Sequence, residues 1–132
     1  MTNTKRNRIG NERGQTTAEF AIVLPVLVVL LFGIVQFGIL FNNYLTLTDA
    51  ARAGARAAAV SRQASDPTGA ADAAVRASAR DLKQGSLGVT ISSAWTPGSP
   101  VTVKATYPYS ISLLGWVVSS GDLTTSTTEA VE

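Results

Sequence analysis

The sequence predicts an α+β protein with a long N-terminal membrane-inserted helix that continues outside the membrane, a second short helix, and a small C-terminal antiparallel sheet of about three strands. Three observations predict it. An uncharged apolar run extends from Phe20 to Phe41, an alanine-dominated stretch without proline follows it, and past Ser86 the hydrophobic period changes from helical to alternating.

The apolar run decides which solvent the chain is written for. Phe20 to Phe41 is 22 residues, of which 17 are Leu, Ile, Val or Phe. As a helix it would extend about 33 Å, against a bilayer hydrocarbon core of about 30 Å. Pro25, Gly33, Gln36 and Gly38 weaken the insertion tendency without reversing it. A buried helix of a soluble core would be shorter and would show a polar stripe, and none is visible here.

The flanks orient the run. Residues 1–14 carry Lys5, Arg6, Arg8 and Arg13 against Glu12, whereas Asn42 to Glu132 carries seven basic and seven acidic residues. Positive charge held back at the N-terminus leaves that end in the cytoplasm and sends the C-terminal part across. The basic pI of about 9.3 therefore reflects a topological signal. It is not a footprint for nucleic acid, whose binders cluster basic residues on a folded face. A secretory signal peptide competes for the same features, but its apolar region is shorter and ends in a small-residue cleavage motif, where this chain reads FNNYLTLTD.

Beyond the membrane, LTLTDAARAGARAAAVSRQ continues as helix, since alanine is the best helix former. One helix is expected from about Thr16 to about Arg62. Ala50, Gly54 and Ala58 recur every four residues, a row of small side chains that lets another helix approach closely. Read sharply it is a helix-packing face; read plainly, alanines filling an exposed surface. Asp66-Pro67 is a helix start, with Asp66 as N-cap and Pro67 as first helical residue. That helix would run to Gln84, with Gly85 as the left-handed residue beyond its end. Its apolar face is thin, so the alanine helix is its nearest packing partner.

LGVTISSAW and VTVKATY alternate apolar and polar residues, TPGSP reads as the connection between them, and the Thr-rich DLTTSTTEAV supplies a third strand. Between the second and third strands SISLLGWVVSSG holds an apolar cluster from Ile111 to Val118. A core-filling loop or short helix, a membrane-surface contact and a subunit contact all fit it. The division expected is a basic cytoplasmic leader at 1–14, a long helix at 15–63 with its membrane part at 20–41, and a small extracytoplasmic domain at 64–132.

The chain has no cysteine and no histidine. That removes disulfides, Cys/His and His-assisted serine nucleophiles, and the usual zinc sites. No phosphate-cradling glycine motif occurs. The carboxylates are scattered, and nothing singles out a Ser/Lys pair. The chain is expected to be no enzyme, with no catalytic residue, cofactor, metal or small-molecule substrate.

One feature remains, the carboxylate of Glu19 at the mouth of the apolar run. Gly14 followed by Gln15, Glu19 as the fifth residue after that glycine, Phe20 as the sixth, and then the hydrophobic helix resemble the processing site of type IV prepilins. RGQTTAEF with AIVLPVLVVLLFGIVQFG, and DAARAGARAA downstream, resemble the TadE-like family of pilin-like proteins in the tight-adherence (Tad) pilus systems. The likeness is strong from Arg13 to Val60 and only general after that.

The resemblance implies a minor pilin, or pseudopilin, in the bacterial cytoplasmic membrane that takes part in assembling a Tad, type IVb, pilus for surface adherence. Its partners would be the membrane, a prepilin peptidase, other pilin-like subunits and Tad assembly proteins. The peptidase would cut between Gly14 and Gln15, and Glu19 would then face the new amine of a neighbouring subunit. Many major pilins of these systems are much shorter and carry tyrosine where this chain has Phe20, which favours the minor class. The rival readings are a single-pass membrane protein with a small extracytoplasmic partner-binding domain and no processing, and a membrane-anchored enzyme, which would need a pocket with convergent polar groups.

Overall fold

The computed structural model describes residues 9–113 and 115–132, with side chains from residue 14 onward. Most of the basic leader, including Lys5, Arg6 and Arg8, lies outside the described residues, as does Leu114 in the apolar cluster. In chain order the elements are α1 (Ile9–Val60), α2 (Pro67–Ser78), a short 3-10 turn (Gln84–Ser86), β1 (Gly88–Ser93), β2 (Pro100–Leu113) and β3 (Trp116–Ala130). The fold is therefore α+β, with an apolar N-terminal helix, a short second helix and one antiparallel sheet in the order β1-β2-β3.

The chain divides into two compact units between Val35 and Gln36. This division falls inside α1, not at its C-terminal end near residue 63, because the second part of the helix folds together with α2 and the sheet. The helix also starts earlier than Thr16; Ile9 to Gln15 contains no proline to stop it.

Among its described residues the unit that ends at Val35 is helix alone. Its large side chains, among them Ile22, Leu31 and Ile34, are exposed, and no part of its most apolar window is buried. By length and composition α1 can cross a membrane. Pro25 stands within it and takes one N–H out of the helical ladder.

The unit from Gln36 to Glu132 has a core. Along α1 the inward stripe runs through Leu47, Ala50, Ala51, Ala55, Ala58 and Ala59, all buried. Spacings of three and four residues place them on one helix face. Against this face lie Ala71 and Val75 of α2 and the inward side of β2, where Val101, Val103 and Ala105 are buried and Lys104 between them is exposed. Val131 is buried beyond the end of β3, and the Glu132 amide donates to the Ala59 carbonyl at 2.9 Å. The end of the chain is thus tied back to the end of α1.

Helix α2 begins as its sequence dictates, with the Asp66 carboxylate accepting from the Gly69 amide at 2.8 Å and Pro67 in the first turn. It ends at Ser78, however, six residues before Gln84. Leu82 and Leu87 both reach the core, where each is 5% exposed; a continued helix would keep Leu82 on the face of Ala71 and Val75 but carry Leu87 around its axis. The chain turns instead, and the Gln84 side chain donates to the carbonyls of Ala79 and Leu82, closing the exit. Gly85 lies in the 3-10 turn and has no positive φ; among the described residues the glycines with positive φ are Gly98 and Gly115.

The hairpin of β2 and β3 is longer than the alternation predicted. Their pairing extends from Pro100↔Ala130 to Leu113↔Trp116, with an irregularity at Ile111/Ser112. Ile111–Val118 is therefore no core-filling loop or short helix. It is the far end of the hairpin, turned at Gly115 (φ 88°), and Trp116, Val117 and Val118 are exposed.

Candidate functional site

The residues around Gly14 are consecutive positions of one helix. Gln15 and Glu19, four residues apart, share a face, and the Gln15 side-chain amide donates to the Glu19 carboxylate at 3.1 Å. Gly14 is exposed, and a Cβ added there would meet nothing within 4 Å. Phe20 is 59% exposed and begins the uncharged run. The arrangement offers a position without a side chain and open around its backbone, a peptide bond next to it, and a single carboxylate at the start of an apolar run. The Gly14–Gln15 bond is itself helical, so a protease that needs an extended strand has to unwind this turn. Glycine makes that easier by about 1 kcal/mol relative to alanine.

The row Ala50, Gly54 and Ala58 lies elsewhere, inside the second unit, and all three residues are buried. A Cβ on Gly54 would collide with Val75 Cγ2 and stand 3.3 Å from both the Ala71 carbonyl oxygen and Val103 Cγ1. The small residues are thus occupied by contacts within the chain. Arg52 and Arg56 project outward on the opposite side, with Arg52 3.7 Å from Asp49 in an exposed pair. Such a pair contributes little.

One structural position was not singled out by sequence reasoning. Gln36 donates its side-chain amide to the Ser112 carbonyl at 3.2 Å, joining α1 to the end of the hairpin. The signal was present, since Gln36 is the only side chain in the apolar run able to donate a hydrogen bond, and a lone polar group in such a run has to find a partner. Near it, a cavity of about 350 Å³ opens between α1 and β2, lined by Leu40 and Asn43 on one side and Tyr107 and Tyr109 on the other, with Lys83 at its edge. Among the described residues no three acidic side chains converge as a metal site, and no buried polar side-chain atom lacks a partner.

No curated protein and no solved structure compared with the chain is similar to it. The family model described as TadE-like protein does match, over residues 14–56. That span opens on the glycine, takes in Gln15, Glu19, Phe20 and the whole apolar run, and ends within the buried alanine stripe. Over those 43 of its 132 residues the chain is similar to the TadE-like family, a family of pilus components.

Proposed function

We propose that the chain is a TadE-like minor pilin, inserted once in the bacterial cytoplasmic membrane with its N-terminus in the cytoplasm and its C-terminal unit outside, that joins the assembly of a Tad-type pilus. The observation that carries this reading is the single helix that holds Gly14, Gln15 and Glu19 in succession and continues as an exposed apolar span, over the stretch that matches the family. A prepilin peptidase removes the leader between Gly14 and Gln15, leaving the Gln15 amine at the membrane edge. A carboxylate drawn into hydrocarbon costs a few kcal/mol, about 2.5 to 3.5 at the centre of a span, so an amine from a neighbouring subunit is its natural partner there.

One contact favours the rival reading of an unprocessed single-pass membrane protein. The Gln15 amide already gives Glu19 a partner on its own helix, with no neighbour required. Co-expression with a prepilin peptidase distinguishes the two. The expected intact mass is that of a chain beginning at Gln15, and Gly14→Val keeps its leader because a branched side chain does not fit where a hydrogen did. An uncut wild-type chain beside an enzyme shown active on a known prepilin overturns the pilin reading.

A further inference from the structure

The hairpin end poses a physical problem. Trp116, Val117 and Val118 are consecutive and are 83%, 65% and 63% exposed, and Ile111 and Leu113 across the hairpin are only partly covered. A contiguous apolar patch of this kind on a sheet edge is an aggregation hazard in water. Its position resolves the problem. Gln36 holds Ser112 by a hydrogen bond, and the residues after Gln36, Phe37 to Phe41, are still apolar. At 1.5 Å per residue, Gln36 stands about 7.5 Å inside the apolar end of the span. Whatever is bonded to it shares that depth.

The residues next to the hairpin end are ordered as a membrane interface orders them. Going away from Ser112 along β2, Tyr109 and Tyr107 follow, beside Leu40 and Asn43 of α1, and the Tyr107 hydroxyl accepts from the Lys83 amide at 3.3 Å. Tyrosine and lysine at the level where the helix leaves its apolar run are what the headgroup region selects. The backbone fits as well. At its end the hairpin is two-stranded, so its outer edges are unpaired, which hydrocarbon does not tolerate at depth. Gln36 supplies the Ser112 carbonyl with its partner on the open edge of β2, and the remaining edge groups require that insertion be shallow.

We propose that the end of the β2–β3 hairpin is a second membrane anchor, with Ile111, Leu113, Trp116, Val117 and Val118 seated at the headgroup–acyl boundary of the leaflet where α1 leaves the membrane. The anchor rests on reading Phe20–Phe41 as a membrane span and not on the pilus reading. Trp116 is one of two tryptophans, and Trp95→Phe makes it the sole reporter. The full chain carrying Trp95→Phe, in phosphatidylcholine vesicles at low protein density, should lose Trp116 fluorescence to lipids brominated high on the acyl chain. Lipids brominated near the bilayer centre should quench it less. A second chain with Trp95→Phe, Trp116→Phe and Phe37→Trp places the reporter in the span itself. Quenching of both reporters supports the anchor. Quenching of the Phe37→Trp reporter alone overturns the anchor and leaves the span intact, whereas quenching of neither overturns the span and the anchor with it. A blue-shifted Trp116 that no brominated lipid quenches assigns the hairpin end to another protein copy and also overturns the proposal.

Discussion

Helix α1 is two helices by chemistry. Up to Val35 it presents Leu, Ile, Val and Phe outward, and from Leu47 to Ala59 it buries alanine and glycine. The large apolar side chains are exposed and the small ones are inside, the reverse of what a hydrophobicity ranking for water would give. The difference teaches that burial here is set by two separate demands. Side chains facing lipid need only be apolar and large, while side chains facing α2 and β2 need to be small enough for the backbones to approach. Glycine shows both regimes in one helix: an added Cβ at Gly33 or Gly38 meets nothing within 4 Å, but at Gly54 it meets both neighbouring elements.

Gly54→Leu breaks the comparison most severely. Val75, the Ala71 carbonyl and Val103 have no room for four more carbons, so unfolding of the detergent-solubilised chain should become easier by about 3 kcal/mol or more. Trp95, packed on the same core, reports the transition. Ala55→Leu is expected to cost similarly, since Ala55 is fully buried. Gly38→Leu should leave the same transition unmoved, and equal effects at Gly38 and Gly54 would show that the two parts of the helix do not differ in this way.

Glu19→Gln acts on the other part and should have the opposite profile. It keeps shape and removes charge, far along the chain from the core residues, so folding of the Gln36–Glu132 unit should be unchanged. If Glu19 pairs with a neighbour's amine, the leader is still cut, and recovery of the chain in sheared pili or assembly complexes falls by about a hundredfold, equivalent to a few kcal/mol. Intact mass and recovery measured on one strain read both. Normal cutting with normal recovery would leave Glu19 as a wet interfacial acid satisfied by Gln15.

How much of this was legible follows the same boundary. The span, the Asp66-Pro67 helix start and the alternation of β1 and β2 are local patterns, and each could be read from neighbours in sequence. The end of α2 could not, because it is fixed by where Leu87, beyond the turn, finds the core. The length of β2 was hidden by Pro108, which argues against a central strand. Pro108 in fact lies past the last β1 pairing, Gly88↔Thr106, where β2 has only β3 beside it and a missing N–H can be tolerated. At the candidate site, Gly14, Gln15 and Glu19 were legible because their relation is one of spacing. Gln36 was legible only as a polar group in need of a partner; which partner was not, because Ser112 is 76 residues away.

The smallest expected effect tests whether a glycine in the folded unit is there for contact or for want of a better helix former. At Gly69 an added Cβ would collide with the Asp66 carboxylate, which is bonded to the Gly69 amide. Asp66→Ala should cost about 1 kcal/mol by removing the cap. Gly69→Ala alone should also destabilise α2, although alanine is favoured over glycine in a helix by about 1 kcal/mol, because the new methyl displaces the capping carboxylate. With Asp66 already alanine the collision is gone, and Gly69→Ala should then stabilise. A reversal of sign between the two backgrounds, read from urea midpoints in a double-mutant cycle, is specific to contact. If Gly69→Ala has the same sign in both, the cap and the glycine are independent, and Gly69 belongs with Gly33 and Gly38 as a residue whose missing side chain touches nothing.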